Sequence, residues 1–252
     1  KEKSIAQIFD PVTSTTFIGN IDILPTKILN YDLRWELFQE NAQMYAISLF
    51  YKDFTNPIEL VVYNGASPND YTPKNVDEAK VYGIELEFRK NLEFISESLS
   101  NFKLTFNTSI IRSEEIMDEK EYEGRTKSAR SREVVSRKRE LQGQSPYLIN
   151  LGLNYNSINN NLEGSLNYNV QGKTLQIVGV NYVPDIFTEP FNSLNLNFNY
   201  KFGRTDNLKL GLGIKNLLDE KVESYYYTNE IRSIHSSLSP RREFKLSFGI
   251  NF

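Results

Sequence analysis

His235 lies among Ser233, Ser236 and Ser237, and serine beside histidine is the pairing from which nucleophilic hydrolases are built. Such a site also needs an acid to orient the imidazole. Spacing places none, so His235 is read as a loop residue, no catalytic residue is assigned and the chain is not expected to be an enzyme. Asp53, Asp70, Asp77, Asp118 and Asp219 miss the D-x-D-x-D-G spacing of a calcium loop. With one His and no Cys, neither a metal site nor a cofactor is expected, and disulfides are excluded.

Two other groups could bind something. Glu114, Glu115, Asp118, Glu119, Glu121 and Glu123 precede a basic run of Arg125, Lys127, Arg130, Arg132, Arg137, Lys138 and Arg139. Arg125, Arg130 and Arg132 could guide an anionic ligand or grip lipopolysaccharide phosphates. The competing reading is a solvated loop whose internal ion pairs are each worth little. Tyr225, Tyr226 and Tyr227 could stack on a sugar or another flat ligand, pack on neighbouring loops, or join a girdle of rings.

The elements that would position these groups are strands. The last stretch, Arg242 to Phe252, alternates strictly: Phe244, Leu246, Phe248, Ile250 and Phe252 on one face, Glu243, Lys245, Ser247, Gly249 and Asn251 on the other. The same period of two recurs at Tyr31–Leu37, Tyr45–Tyr51, Tyr82–Phe88, Phe102–Thr108, Tyr147–Tyr155, Leu162–Val170, Leu194–Tyr200 and Leu208–Ile214. Ile58 to Tyr63 reads as a continuation of the second strand beyond Pro57. Residues 1–30 read mostly as loop, with a short strand near Ser14 to Ile18. That makes nine strands, or ten if residues 1–30 hide another.

Short turns alternate with long loops near 64–75, 112–146, 172–190 and 216–239, as in an outer-membrane β-barrel with its long loops outside. The expected fold is therefore all-β: a transmembrane antiparallel barrel, with residues 1–252 as one barrel segment. Apolar content is 39%, lean for a packed globular core, whereas 15 Tyr and 16 Phe suit aromatic girdles. The off-face residues are mainly Asn, Ser and Gly, as at Asn195, Asn197 and Asn199, and suit a hydrated lumen. A soluble β-sandwich would carry more Lys and Glu there. The net charge of -3 argues against a nucleic-acid partner. No run reaches the ~18 apolar residues of a membrane helix, and the start of the chain does not lead into a signal peptide.

Several segments resemble the TonB-dependent outer-membrane receptors. They include Gly19-Asn20-Ile21-Asp22-Ile23-Leu24-Pro25 with Asn30-Tyr31-Asp32-Leu33-Arg34-Trp35-Glu36, and Leu49-Phe50-Tyr51 with Asn56-Pro57-Ile58. Val81-Tyr82-Gly83-Ile84-Glu85-Leu86-Glu87, Gln144-Ser145-Pro146-Tyr147 and Asn216-Leu217-Leu218-Asp219-Glu220-Lys221 follow in the family's order. Ser239-Pro240-Arg241-Arg242 resembles the lead into the final strand, with Arg241 where the family has Gly, and Val222 stands where it has an aromatic. Carbohydrate- and peptide-uptake branches of the Bacteroidetes type look most similar.

The resemblance implies a 22-stranded barrel around an N-terminal plug, of which this chain would be the C-terminal part. It implies energised uptake of a scarce nutrient (siderophore, glycan or peptide) across the outer membrane of a Gram-negative bacterium. The implied partners are outer-membrane lipid, the plug and front half of the barrel, the TonB complex through the missing front part, and a surface lipoprotein. Phe252 resembles the terminal aromatic read by barrel-assembly machinery. The alternative is a small complete barrel serving as a pore or structural protein.

Overall fold

In the computed structural model the described residues are 7–11, 14–40, 42–63, 70–129, 134–180, 183–203, 206–228 and 231–250. Nine strands build one antiparallel wall: β1 (Lys27–Gln39), β2 (Gln43–Thr55), β3 (Glu78–Asn91), β4 (Phe102–Ile116), β5 (Tyr147–Asn156), β6 (Leu162–Gln171), β7 (Phe191–Phe202), β8 (Leu208–Lys215) and β9 (Glu243–Ile250). Each pairs with the strand before and after it in sequence, and a short strand, Lys138–Arg139, adds to the end of β4. The nine fall on the nine alternating segments of the sequence. β1 and β9 do not pair with each other, so the wall is an open arc.

Register carries the alternation across the arc. Leu33, Leu49, Ile84 and Ile110 are successive neighbours on β1 to β4. Leu104, Leu153, Leu166, Leu196, Ile214 and Phe244 form another row, from β4 to β9. On β2 the outward Ile47 and Leu49 are 43% and 48% exposed, whereas the intervening Ala46 and Ser48 are buried. The exposed face is thus the oily one, the reverse of a water-soluble sheet.

Rings bracket this oily face. Tyr31, Tyr51 and Tyr82 stand side by side, with centroids 6.3 and 6.4 Å apart, and Tyr45 meets Phe88 edge-on at 5.4 Å. Tyr51 to Tyr45, and Tyr82 to Phe88, are six residues along a strand, or about 20 Å. That is close to the ~25 Å apolar band between the girdles of a membrane barrel.

The inner face is polar. Asn169 donates to Asn150 (2.6 Å), Asn195 to Ser193 (3.0 Å) and Arg34 to Glu87 (3.0 Å). Gly83 also faces inward, and a Cβ there would lie 2.3 Å from the Ile110 carbonyl oxygen and 2.8 Å from the Phe50 ring. Gly83→Ala is expected to cost about 1–3 kcal/mol by overpacking. Denaturant unfolding of the folded protein in detergent checks it, and an unchanged midpoint would contradict the contact.

The long connections depart from the sequence reading. Ile58–Val62 does not prolong β2. Asn56, at φ 53°, and Pro57 turn the chain out of the wall, and the segment pairs with Asp70–Asn75 instead. Gln7–Asp10 and Thr15–Ile18 complete that four-stranded sheet, so residues 1–30 supply no further wall strand among those described. Thr174–Ile177, Ile186–Thr188, Val222–Thr228 and Ile231–Leu238 make a second sheet of four. A parallel bridge between Val61 and Val178 joins the two sheets. They share a core of Val61, Val62, Tyr71, Leu175, Ile177, Val178 and Ile186. The connections therefore fold into a canopy that is better buried than the wall carrying it.

Candidate functional site

The canopy and the mouth of the arc beneath it form the candidate site. Residues 117–129 and 134–146 anchor it. Asp118 caps a helix over Glu119–Ser128 by accepting from the Glu121 amide at 2.8 Å. Its acids sit in the first turn and Arg125 and Lys127 in the last, with Glu121–Arg125 and Glu123–Lys127 paired four residues apart. This helix has no apolar stripe, so alternation and amphipathicity both missed it. Acid-then-base order at i,i+4 was the available signal.

Arg139 lies at the centre of a buried ionic cluster. Its guanidinium is 2.5 Å from Glu59, 2.7 Å from Glu115 and 2.8 Å from Glu121, and its side chain is 6% exposed. Glu115 lies three residues beyond Arg112, the β4 neighbour of Tyr82, and so past the ring of tyrosines. Burial and the adjacent Glu59 carboxylate push Glu115 up to about 10, so it holds a proton at neutral pH. Burial also raises Glu59, but the Arg139 hydrogen bonds and charge outweigh it and hold Glu59 below its ordinary value. The sequence reading of weak, solvated pairs applies to Lys127–Glu123, whose side chains are 71% and 55% exposed. It fails for Arg139.

Gln142 ties the layers together. Its amide donates to the carbonyls of Leu60 (2.7 Å) and Gln176 (2.6 Å), and its oxygen accepts from the Leu60 amide at 2.6 Å. Gln142→Ala leaves these backbone groups unmatched and is expected to destabilise the canopy by about 1–3 kcal/mol. Faster amide hydrogen exchange at Leu60 and Val178 is the readout, and unchanged exchange counts against it.

The sequence candidates disperse. Arg125 is engaged by Glu121 (3.0 Å) and by both oxygens of Asp185 (2.7 and 2.8 Å). Arg130, Arg132 and Phe252 lie outside the described residues. The three tyrosines share one strand and so alternate. Tyr226 turns into the canopy core, where its hydroxyl meets His235 Nδ1 at 3.1 Å and its ring meets the imidazole edge-on. Burial holds His235 below its ordinary value, and its ring lies against Tyr226 and Tyr71. Tyr225 and Tyr227 take the other face. Arg232 covers the Tyr225 ring at 4.8 Å, and Lys173 covers Tyr227 at 3.2 Å and Phe187 at 4.3 Å. The Tyr227 hydroxyl donates to Glu189.

A cavity of about 480 Å³ opens where β6 and β7 leave the wall, between the second small sheet and Gln142. Sequence reasoning missed it, because its walls come from five separate segments. Among the described residues no group of three or more His, Asp or Glu is placed to hold a metal ion. Among the described residues no helix is long and apolar enough to cross a membrane.

A family model described as TonB dependent receptor-like, β-barrel, matches residues 3–217. No curated protein matches the chain. Solved structures do. A point mutant of the ferric enterobactin receptor PfeA from Pseudomonas aeruginosa superposes with a TM-score of 0.57 at 17% identity, over 94% of this chain and 33% of that one. The ferric citrate transporter FecA, unliganded, gives 0.58 at 16% identity, over 89% and 31%. The copper transporter OprC gives 0.61 at 17% identity, over 93% and 32%. The chain thus spans about a third of the length of these structures, and at such identity they show a shared fold.

Proposed function

The chain belongs to the TonB-dependent receptor-like β-barrel family, and from that membership we propose that it forms the C-terminal wall and loop canopy of an outer-membrane uptake receptor. The observation that carries the reading is the open nine-strand arc, oily outside and polar inside. In hydrocarbon a sheet cannot leave an edge unpaired, because each exposed backbone group costs several kcal/mol. The free edges of β1 and β9 therefore call for further strands. With these, the arc would be nine strands of a barrel of about 22, the size that carries a plugged lumen. A small complete barrel is the less favoured reading, since β1 and β9 do not meet.

In this reading residues 1–252 are one barrel segment. The plug rests against the polar inner face, and the TonB complex acts through the plug. The canopy, with Tyr225 and Tyr227 on its outer ledge, meets the nutrient first, and a surface lipoprotein could cover it. Arg125 braces the canopy through Asp185, and Phe252 serves assembly. The coverage of about a third of the matched structures supports a chain that is one part of a longer barrel.

Intact-mass measurement of the protein in source outer membranes tests the reading. A heat-modifiable polypeptide about three times this length, ending in this sequence, is expected. A heat-modifiable species of about this length would replace the receptor with a small autonomous barrel.

A further inference from the structure

The end of the wall away from the canopy carries the turn between β3 and β4, and that turn is folded rather than loose. Leu92–Phe94 and Glu97–Leu99 each make a single helical turn. Asn91 clamps the two together. Its side-chain oxygen accepts from the Glu93 amide at 2.7 Å, and its side-chain amide donates to the Ser100 carbonyl. Phe94 and Ile95 stand out of this clamped turn, 63% and 62% exposed. Adjacent exposed apolar side chains suit a segment that lies at a membrane interface.

Lys90 stands beside them. It shares the outward parity of Leu86 and Phe88 and lies two residues, about 7 Å, beyond the ring pair of Tyr45 and Phe88. A lysine at that depth lays its stem along apolar surface and carries its charge to the headgroup level. Its Nζ donates to the Tyr45 hydroxyl at 2.8 Å and lies 5.5 and 5.4 Å from the centres of the Tyr45 and Phe94 rings. Among the described residues no carboxylate pairs with it. Arg112, outward on β4 at the canopy end, instead has Glu114 at 3.3 Å.

An ammonium has three donors, and Tyr45 takes one, so two remain. The Tyr45 hydroxyl, accepting from Lys90, keeps its own proton to give. Donors so placed between two rings suit an anionic oxygen that arrives with apolar matter attached, and hydrogen bonds to such an oxygen are the strong kind. Glu93 and Glu97 lie exposed in the same turn and oppose a broadly anionic surface. The fit is therefore to one phosphodiester.

We propose that Lys90 and Tyr45 bind the phosphodiester of a single membrane phospholipid, with Phe94 and Ile95 against its glycerol and acyl region. Its chains lie along the oily face beside Leu104, the β4 neighbour of Lys90. The site rests on the receptor reading, which puts that face in a bilayer. It goes further by giving one lipid a defined place, where an oily wall alone requires only unspecific contact.

Native mass spectrometry of the full-length protein, released from detergent after addition of phosphatidylglycerol with oleoyl chains, counts the lipid retained. Retention of one phospholipid is expected, weakened about tenfold in Lys90→Gln by loss of a charge-assisted hydrogen bond and preserved in Lys90→Arg. Dioleoylglycerol, with the same chains and no phosphate, should not be retained, and excess inorganic phosphate should not displace the phospholipid. Phe94→Ser, in the exposed turn, should weaken retention too, and it supplies the reading if Lys90→Gln does not fold. Undiminished retention in the folded variants, retention of dioleoylglycerol as strong as that of phospholipid, or displacement by inorganic phosphate overturns the proposal. Heat-modifiability of the same preparations reports on the receptor reading separately. A full-length, heat-modifiable protein that retains no phospholipid sinks only the lipid site.

Discussion

Replacing Arg139 with alanine is expected to destabilise the canopy by about 3–5 kcal/mol, the usual cost of removing one partner from a buried ion pair. The same change at Lys127, whose pair with Glu123 is exposed, is expected to cost no more than about 1 kcal/mol. The difference lies in what remains. Without Arg139, Glu59 is left without its cation in a space closed to water, and the two segments carrying Glu59 and Glu115 lose their common partner. Amide exchange along Ile58–Val62 in the full-length protein should rise to that of an unfolded loop while exchange in β5 and β6 stays slow. Uniform protection throughout would show that the cluster is not what holds the canopy.

The cluster also makes the canopy sensitive to pH in two opposite senses. Glu115 has a raised folded value, so its contribution is complete below 4.5 and falls progressively as pH climbs through about 10. Glu59 has a lowered folded value, so its contribution is present above 4.5 and is lost on acidification. Glu115→Gln imitates the protonated carboxyl. It should leave stability near neutrality unchanged, flatten the alkaline limb and spare the acid limb.

The wall was legible because each strand touches two media. Phe244, Leu246, Phe248 and Ile250 must be oily and Glu243, Lys245 and Ser247 must not, so a period of two is written into every strand. The canopy has no such constraint. Its strands are as short as three residues, at Ile186–Thr188, and its core joins Val61 to Val178 and Glu59 to Arg139, contacts that no local window contains. The charge order of residues 114–139 was visible, but its burial was not, because Arg139 looks like its exposed neighbours until Glu59 arrives from 80 residues away. The tyrosine run shows the same limit. Three identical residues in a row say nothing about which one a strand turns inward, and here it is Tyr226.

Leu86→Arg tests which medium the oily face meets. Leu86 lies between Tyr82 and Phe88 on β3, close to mid-height of the bracketed band, with Ile47 and Thr108 beside it in register. If the face meets lipid, an arginine near the midplane should cost about 2–4 kcal/mol, most of the margin of an ordinary fold. The heat-modifiable band should then weaken and the denaturant midpoint in detergent or liposomes should drop. Arginine at Ser165, of opposite parity to Leu166 on β6 and directed at the lumen, meets water and should cost well under half as much. A soluble sandwich makes the reverse prediction. There Leu86 would be a stray surface leucine, Leu86→Arg would be harmless, and burying a charge on the other face would be the damaging change. Only hydrocarbon on the outside makes the leucine the costlier site, so the ranking of the two variants decides between lipid and water whatever their absolute size.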